Sequence, residues 1–335
     1  MSAALPAPAI RRREVPQHGP WPAQVPPLLQ RIYAARGICD GEAAELKLAQ
    51  LASPQLLDGI EHAAHLLAGA IAEQRHILVV GDFDCDGATG TAVAVRGLRL
   101  LGATKVSFRV PHRQRHGYGL SPALVDELDL PSGSMLLTVD SGIACHAGVA
   151  AAKARGWQVL VSDHHLPGAT LPAADAIVDP NLPGDAFPSK ALAGVGVVFY
   201  LLLALRQTLR ARGALPSPEP DLQALLDLVA VGTVADLVPL DRNNRLLVSA
   251  GLRRLREGRC QPGLRALADV AGKSLAQLTA SDIGFAIGPR LNAAGRLEDM
   301  ALGIECLLCD EPRRAQELAL TLDSINAERK LLQQQ

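Results

Sequence analysis

Three aspartates at alternate positions follow a short apolar run early in the chain. The run is Ile77–Val80, and the acidic residues are Asp82, Asp84 and Asp86. In an extended backbone, residues two apart project to the same side, so the three carboxylates converge unless a turn separates them. Like charges held together need a compensating cation. Because all-oxygen ligation is typical of Mg²⁺, Mn²⁺ or Ca²⁺, the pattern indicates either a metal site or a solvated acidic turn.

A calcium loop of the EF-hand type is an alternative, since it also begins Asp-x-Asp-x-Asp-Gly. Such a loop follows a helix and carries a glutamate at its twelfth position. Here a run that favours a β-strand precedes the aspartates, and the twelfth position is Val93. The sequence therefore argues against an EF-hand.

Acidic and histidine clusters recur where later apolar runs end. Strand patterns alternate with helical ones, which predicts an α/β fold with a mostly parallel sheet flanked by helices. Functional groups in such sheets gather beyond the carboxyl ends of the strands. We expect strands at residues 77–80, 105–110, 135–139, 159–161 and 176–178. The groups that follow these strands are the three aspartates, then Asp140, then Asp163, His164 and His165. This coincidence favours a metal site over chance surface acids.

The remaining elements are predicted to be mainly helical. Asp236 follows one apolar helix, and the small-residue segment 288–296 is interpreted as a loop containing Arg290 and Arg296. Helices are expected as a pair within 28–52 and at 56–73, 88–101, 124–128, 144–155, 191–212, 222–231, 243–255, 302–308 and 313–335.

Composition sets the broad class of the protein. The chain has 335 residues, 48% of them hydrophobic and only 3% aromatic, so an aliphatic core is expected. Its net charge of -1 gives no overall signal for nucleic acid, although a local basic groove is compatible with that sum. We predict no membrane span and no signal peptide, a cytoplasmic location, and a disordered leader at residues 1–27. The pair Cys306 and Cys309 is interpreted as core packing rather than a zinc or redox site.

Four ordered segments resemble the motifs of the DHH phosphoesterases. Their residue ranges are 81–87, 139–142, 162–167 and 232–236. Further segments resemble the RecJ family of bacterial exonucleases within that superfamily, which degrade single-stranded DNA from the 5′ end. These segments are 179–183, 187–196, 239–245 and 288–296.

The resemblance implies a metal-dependent exonuclease with two ions, Mn²⁺ or Mg²⁺. It assigns Asp82 and Asp84 to one ion. It assigns three ligands to the other ion and a bridging position to Asp140; the three ligands are Asp86, His164 and Asp236. Asp163 is expected to orient the histidines, and His165 to bind metal or the scissile phosphate. Substrate contacts are expected from Arg113, Tyr118, Arg290, Asn292 and Arg296.

The resemblance also predicts a domain plan. It comprises a helical segment at 28–75, a DHH catalytic domain at 76–310 and a connector helix at 311–335. The family continues with a second lobe and an OB-type domain, so we expect a shortened form with weakened activity. The segment 111–119 departs from the family pattern, because His112 replaces an asparagine and basic residues replace acidic ones.

Two other functions remain open. One is a DHH hydrolase acting on short oligonucleotides, cyclic dinucleotides or pyrophosphate. The other is a catalytically inert fragment that binds DNA or a protein partner. For the exonuclease, the implied partners are single-stranded DNA with a 5′ end and, in addition, a single-strand-binding protein and a helicase. A role in DNA repair and recombination follows from the same resemblance.

Overall fold

The computed structural model describes residues 14–17, 19–297 and 299–334. The chain divides into two units, Met1–Gln50 and Leu51–Gln335. The predicted helical segment 28–75 is therefore split between them. The last helix of this segment packs on the core of the second unit. An amphipathic sequence pattern shows that a helix has a buried face, but not which element covers that face.

The first unit contains two helices, α1 (Pro27–Ala34) and α2 (Gly41–Ala44). Asp40 caps α2 by accepting a hydrogen bond from the Ala43 N–H at 2.7 Å. Part of the predicted disordered leader lies outside the described residues, namely 1–13 and 18. Within the described part, Trp21 stacks on Tyr33 with ring centroids 5.5 Å apart.

The second unit is built on a five-stranded parallel sheet, as predicted. The strands are β1 (Ile77–Val80), β2 (Val106–Arg109), β3 (Met135–Val139), β4 (Gln158–Ser162) and β5 (Ala176–Val178), in the order β2-β1-β3-β4-β5. The pairing sets Val80 beside Thr138, and Thr138 beside Val161. The carboxyl ends of the three central strands therefore meet at one edge of the sheet.

Twelve α-helices lie in the described part of this unit. They are α3 (Ile60–Ala72), α4 (Cys85–Leu100), α5 (Pro122–Asp126), α6 (His146–Ala154), α7 (Gly194–Ala211), α8 (Leu226–Ala235), α9 (Arg242–Arg256), α10 (Pro262–Val270), α11 (Ala280–Asp282), α12 (Gly288–Leu297), α13 (Ala301–Leu308) and α14 (Pro312–Gln334). Each face of the sheet is covered, which explains the continuous apolar strands. Helices α5 and α6 cover one face through residues such as Leu124 and Val149, and α4 and α7 cover the other.

Helix α7 is long and apolar enough to cross a membrane by length and composition alone. It is mostly buried, with Tyr200 at 0% exposure, and it packs on α3, α4 and α8. It is therefore interpreted as a core helix, which agrees with the prediction.

The helical region after α9 differs most from prediction. The segment 288–296 is helix α12 rather than a loop. It continues directly from α11 and the π-helical turn 283–287, so Pro289, which has no N–H to donate, lies just after that turn. Helix α10 was not predicted. The expected connector, α14, buries residues such as Leu318 and Leu322 against α10, α12 and α13, so it is part of the second unit.

Candidate metal centre

The first acidic motif converges through a turn and a helix start, not through the extended backbone that the alternation predicts. Strand β1 ends at Val80, and α4 begins at Cys85. Asp84 caps that helix by accepting a hydrogen bond from the Gly87 N–H at 2.9 Å. Asp86 therefore lies in the first helical turn and joins a different set of ligands from Asp82.

Asp86 is held by the amino-terminal end of α7. Its carboxylate accepts hydrogen bonds from the N–H groups of Gly194 at 2.7 Å and Val195 at 3.1 Å. Unpaired N–H groups at a helix start favour a negative charge there. Two neighbouring glycines also allow the close packing: a Cβ at Gly194 would lie 2.6 Å from Asp140 Oδ1, and one at Gly232 would lie 2.7 Å from Asp86 Oδ1.

Asp140 occupies the middle of the cluster at the end of β3. Its backbone has a positive φ of 60°, which is uncommon for a residue other than glycine. Its Oδ1 lies 3.0 Å from His164 Nε2, and the same imidazole atom lies 3.7 Å from Asp236 Oδ2. Asp140 belongs to two of the three ligand groups described next, which is compatible with the bridging position predicted for it.

Three groups of side chains each bring their ligand atoms within 4.8 Å of one another. They are Asp82, Asp84 and Asp140; Asp86, His164 and Asp236; and Asp140, His164 and His165. Four buried atoms in these groups make no hydrogen bond: Asp82 Oδ1, Asp140 Oδ1, His164 Nε2 and Asp236 Oδ2. Buried carboxylate oxygens without donors are costly unless a cation compensates them. The donor set of carboxylates and imidazole therefore fits hard divalent cations.

The electrostatics of the cluster also favour binding of a positive charge. Burial, followed by repulsion from Asp84, raises the pKa of Asp82 to about 7. Burial raises the pKa values of Asp86 and Asp140 well above the usual range, and neighbouring carboxylates add to the effect. Burial likewise lowers the pKa of His164. The three carboxylates are held near like charges that bound cations would neutralise.

Asp163 accepts hydrogen bonds from both histidines. Its Oδ2 accepts the Ile143 N–H at 2.9 Å, and its Oδ1 accepts the His164 N–H at 2.8 Å. Oδ1 also lies 2.7 Å from His165 Nδ1. Burial has the largest effect on Asp163 and opposes its ionisation, but the hydrogen bond and charge of His165, together with the Ile143 and His164 amides, outweigh it and lower the pKa. The same bond raises the pKa of His165 to about 9.

A second pair of residues supports His164 and was not predicted. Asn181 Nδ2 donates to the His164 carbonyl at 2.6 Å, and the Asn181 N–H donates to Asp179 Oδ1 at 2.8 Å. Asp179 is fully buried, and burial raises its pKa to about 7. The Asp-Pro-Asn segment after β5 was visible in the sequence, but nothing in it indicated which backbone group it would hold.

Two predicted substrate residues lie beside the cluster. The Arg113 guanidinium stacks 4.1 Å from the centroid of the Phe83 ring. The Tyr118 hydroxyl donates to the Asp140 carbonyl at 3.1 Å, and the Tyr118 ring contacts His165 edge-on. Phe83, between the first two aspartates, was not predicted, and it links Arg113 and Tyr118 into one surface at the metal edge.

The three predicted substrate residues on α12 differ from one another. Arg290 forms an ion pair with Asp323 at 2.7 Å and donates to the Ala286 carbonyl, so its guanidinium is engaged within the helical region. Asn292 accepts the Cys85 N–H at 2.7 Å and so fixes the start of α4. Arg296 is exposed at the end of α12. Asn292 thus makes a structural contact through its Oδ1, and the predicted substrate contact stays a prediction.

The family profile described as "DHH family, N-terminal domain" matches residues 76–233, a range that contains seven of the eight candidate acidic and histidine residues. The chain belongs to the DHH family. The single-stranded-DNA-specific exonuclease RecJ of Salmonella typhimurium is 52% identical over 97% of this chain and 57% of that protein. RecJ of Bacillus subtilis is 38% identical over 91% of this chain and 38% of that protein.

Solved structures agree with the relatives. An exonuclease RecJ bound to manganese superposes with a TM-score of 0.73 at 41% identity, covering 83% of this chain and 68% of that one. RecJ from Thermus thermophilus in complex with Mn²⁺ gives a TM-score of 0.73 at 36% identity, covering 94% of this chain and 46% of that one. The chain spans little more than half the length of the first curated relative.

Proposed function

We propose that this chain carries the catalytic centre of a metal-dependent exonuclease that hydrolyses single-stranded DNA from its 5′ end, in DNA repair and recombination. The observation that carries the proposal is the overlap of the three ligand groups, with four buried atoms left without hydrogen bonds. The substrate class is supported by similarity to RecJ exonucleases across nearly the whole chain.

The proposed ligand division follows the groups in the structure. Asp82 and Asp84 hold one Mn²⁺ or Mg²⁺ ion, and Asp140 bridges to the second. The ligands of the second ion are Asp86, His164 and Asp236. Two bound ions would supply charge neutralisation for the phosphodiester and activation of water.

The remaining side chains hold and orient the substrate. Asp163 keeps His165 in place, so that the imidazole faces the scissile phosphate beside Tyr118. Arg113 lies flat on Phe83 and can bind phosphate oxygens through its guanidinium. Arg296 is exposed and is retained as a phosphate contact, whereas Arg290 and Asn292 are proposed to act by positioning.

The test is Mn²⁺-dependent nucleotide release from 5′-phosphorylated single-stranded DNA. We expect stepwise release from the 5′ end on a series of increasing lengths, and no release by the Asp140→Ala variant. Equal release by that variant would contradict the site assignment. Cleavage restricted to fragments of a few nucleotides would instead favour the oligonucleotide hydrolase.

Location and partners are part of the proposal. A DNA-processing enzyme of this class acts in the cytoplasm, and the substrate partner is single-stranded DNA. A single-strand-binding protein and a helicase are proposed as protein partners, because such an enzyme needs exposed single strands. Co-purification of the chain with either protein tests this part separately from the chemistry.

A further inference from the structure

Three large apolar side chains stand exposed on segments that carry the metal centre or pack on α8, the helix that leads to it. Leu166, Leu237 and Phe285 are 82%, 85% and 87% exposed, the highest values among large hydrophobic residues in the described chain. We name them the apolar rim. Leu166 directly follows His165, and Leu237 directly follows Asp236. Exposure of single apolar residues is common, but three on such segments is a concentration that needs a cause.

Leu237 has an unfavourable backbone as well as an exposed side chain. Its φ is 63°, in the left-handed region, and it directly follows Asp236, the residue that caps the end of α8. Glycine or asparagine usually occupies this position after a helix, because a branched or bulky side chain is strained there. The exposed leucine gains no burial that would offset the strain. Folding therefore does not explain this residue, and backbone strain of this kind concentrates at functional sites.

Phe285 lies in an irregular helical turn that packs on the end of α8. It lies in the segment Ile283–Ile287, where the Gly288 N–H donates to the Ile283 carbonyl five residues earlier, the bond of a π-helical turn. Such turns often occur at functional sites. The segment packs on the end of α8, since a Cβ at Gly284 would lie 3.7 Å from Val234 Cγ1. Ile283 and Ile287 are buried, and the turn leaves the Phe285 ring in solvent.

We propose that the apolar rim contacts the nucleobases next to the scissile phosphate, with Leu237 as the central contact. The inference rests on the proposed function. A phosphate held at the metal centre brings its neighbouring bases within reach of residues that directly follow His165 and Asp236. Charged groups such as Arg113 are suited to the backbone, whereas uncharged side chains suit the faces of bases. Contact with base faces tolerates any sequence, as an exonuclease requires.

The test combines a protein variant with a change in the DNA. Leu237→Gly removes the side chain and relieves the backbone. The probe is a short 5′-phosphorylated single strand, compared with the same strand lacking the bases that flank its first phosphodiester. With Ca²⁺ in place of Mn²⁺, we expect Leu237→Gly to raise the Kd for the intact strand about tenfold, as loss of one buried leucine contact implies. The Kd for the abasic strand should not change.

Stability separates this role from a structural one. Leu237→Gly and Leu237→Asn are expected to keep or raise the melting temperature while both weaken binding. Gln74→Gly is the matched control, because Gln74 also has a positive φ, 52°, but lies before β1 at the opposite end of the sheet. It should leave DNA binding unchanged. Phe285→Ala should weaken binding to the intact strand in the same way as Leu237→Gly.

Three results would overturn the inference. The first is that Leu237→Gly weakens binding to the intact and abasic strands equally. The second is that it weakens binding to neither strand. The third is a clear fall in the melting temperature of the Leu237→Gly variant. If the wild-type chain cuts and binds single strands in those cases, the proposed function stands and only the rim contact fails. If it binds no single-stranded DNA at all, both fail together.

Discussion

Gly194→Ala is expected to disable the metal centre without removing any candidate ligand. The new Cβ would lie 2.6 Å from Asp140 Oδ1 and 2.9 Å from its Cγ, closer than real contacts allow. Alanine favours a helix over glycine by up to about 1 kcal/mol, so without this clash the change would be neutral or stabilising. Overpacking a filled site costs about 1–3 kcal/mol, and a displaced reactive group loses about 100-fold in rate.

The assay is the rate of Mn²⁺-dependent nucleotide release, measured beside the melting temperature. If Asp140 rotates away, we expect the rate to fall about 100-fold with little change in stability. If the start of α7 shifts instead, both quantities fall. Gly196→Ala is the control on the same helix, since its Cβ would meet the flexible Leu192 side chain at 2.5 Å. A rate within a few-fold of wild type for Gly194→Ala would refute this role of the close contact.

Three further predictions concern the same edge. The pKa of Asp82 in the folded protein, about 7, lies above its ordinary value, so the free energy of unfolding that protonated Asp82 contributes at low pH is lost as the pH rises through 7. The metal-free protein should therefore melt at a lower temperature at about pH 8 than at pH 6, and Mn²⁺ should raise the melting temperature more at the higher pH. Asp163→Asn should lower the pKa of His165 from about 9, which NMR titration of the imidazole measures. An unchanged pKa would contradict the assigned hydrogen bond. Asn292→Ala leaves the Cys85 N–H without its acceptor and should lower the free energy of unfolding by about 1–2 kcal/mol. Asn292→Asp keeps an acceptor oxygen and should keep most of the wild-type stability. Equal denaturation midpoints for wild type and Asn292→Ala would count against this contact.

The sheet and the position of its acidic groups were predictable because periodicity and strand order are local signals. The bounds of β1, β3 and β5 agree with prediction, since each apolar run ends in a polar motif. The direction of the side chains was not predictable in the same way. Asp84 ends the extended backbone by capping α4, and this sends Asp86 to the ligand group of His164.

Contacts between segments that are distant in the sequence could not be predicted from the sequence. Residues 193–196 were predicted only as part of a helix, and the Gly194 and Val195 amides in fact also hold Asp86. Asn292 was singled out as a substrate contact, and its hydrogen bond to the Cys85 N–H, from more than two hundred residues away, was not predicted. Long-range partners of this kind depend on how helices pack, which the period of apolar residues does not specify.

The central claim is that the edge formed by β1, β3 and β4 binds divalent cations between Asp140 and its neighbouring ligands. Calorimetric titration of the metal-free chain with Mn²⁺ tests it most directly. We predict that the wild-type chain binds two ions and that Asp140→Ala loses at least one of them, because this residue contributes to two ligand groups. Binding of two ions by Asp140→Ala with unchanged affinity would contradict the claim.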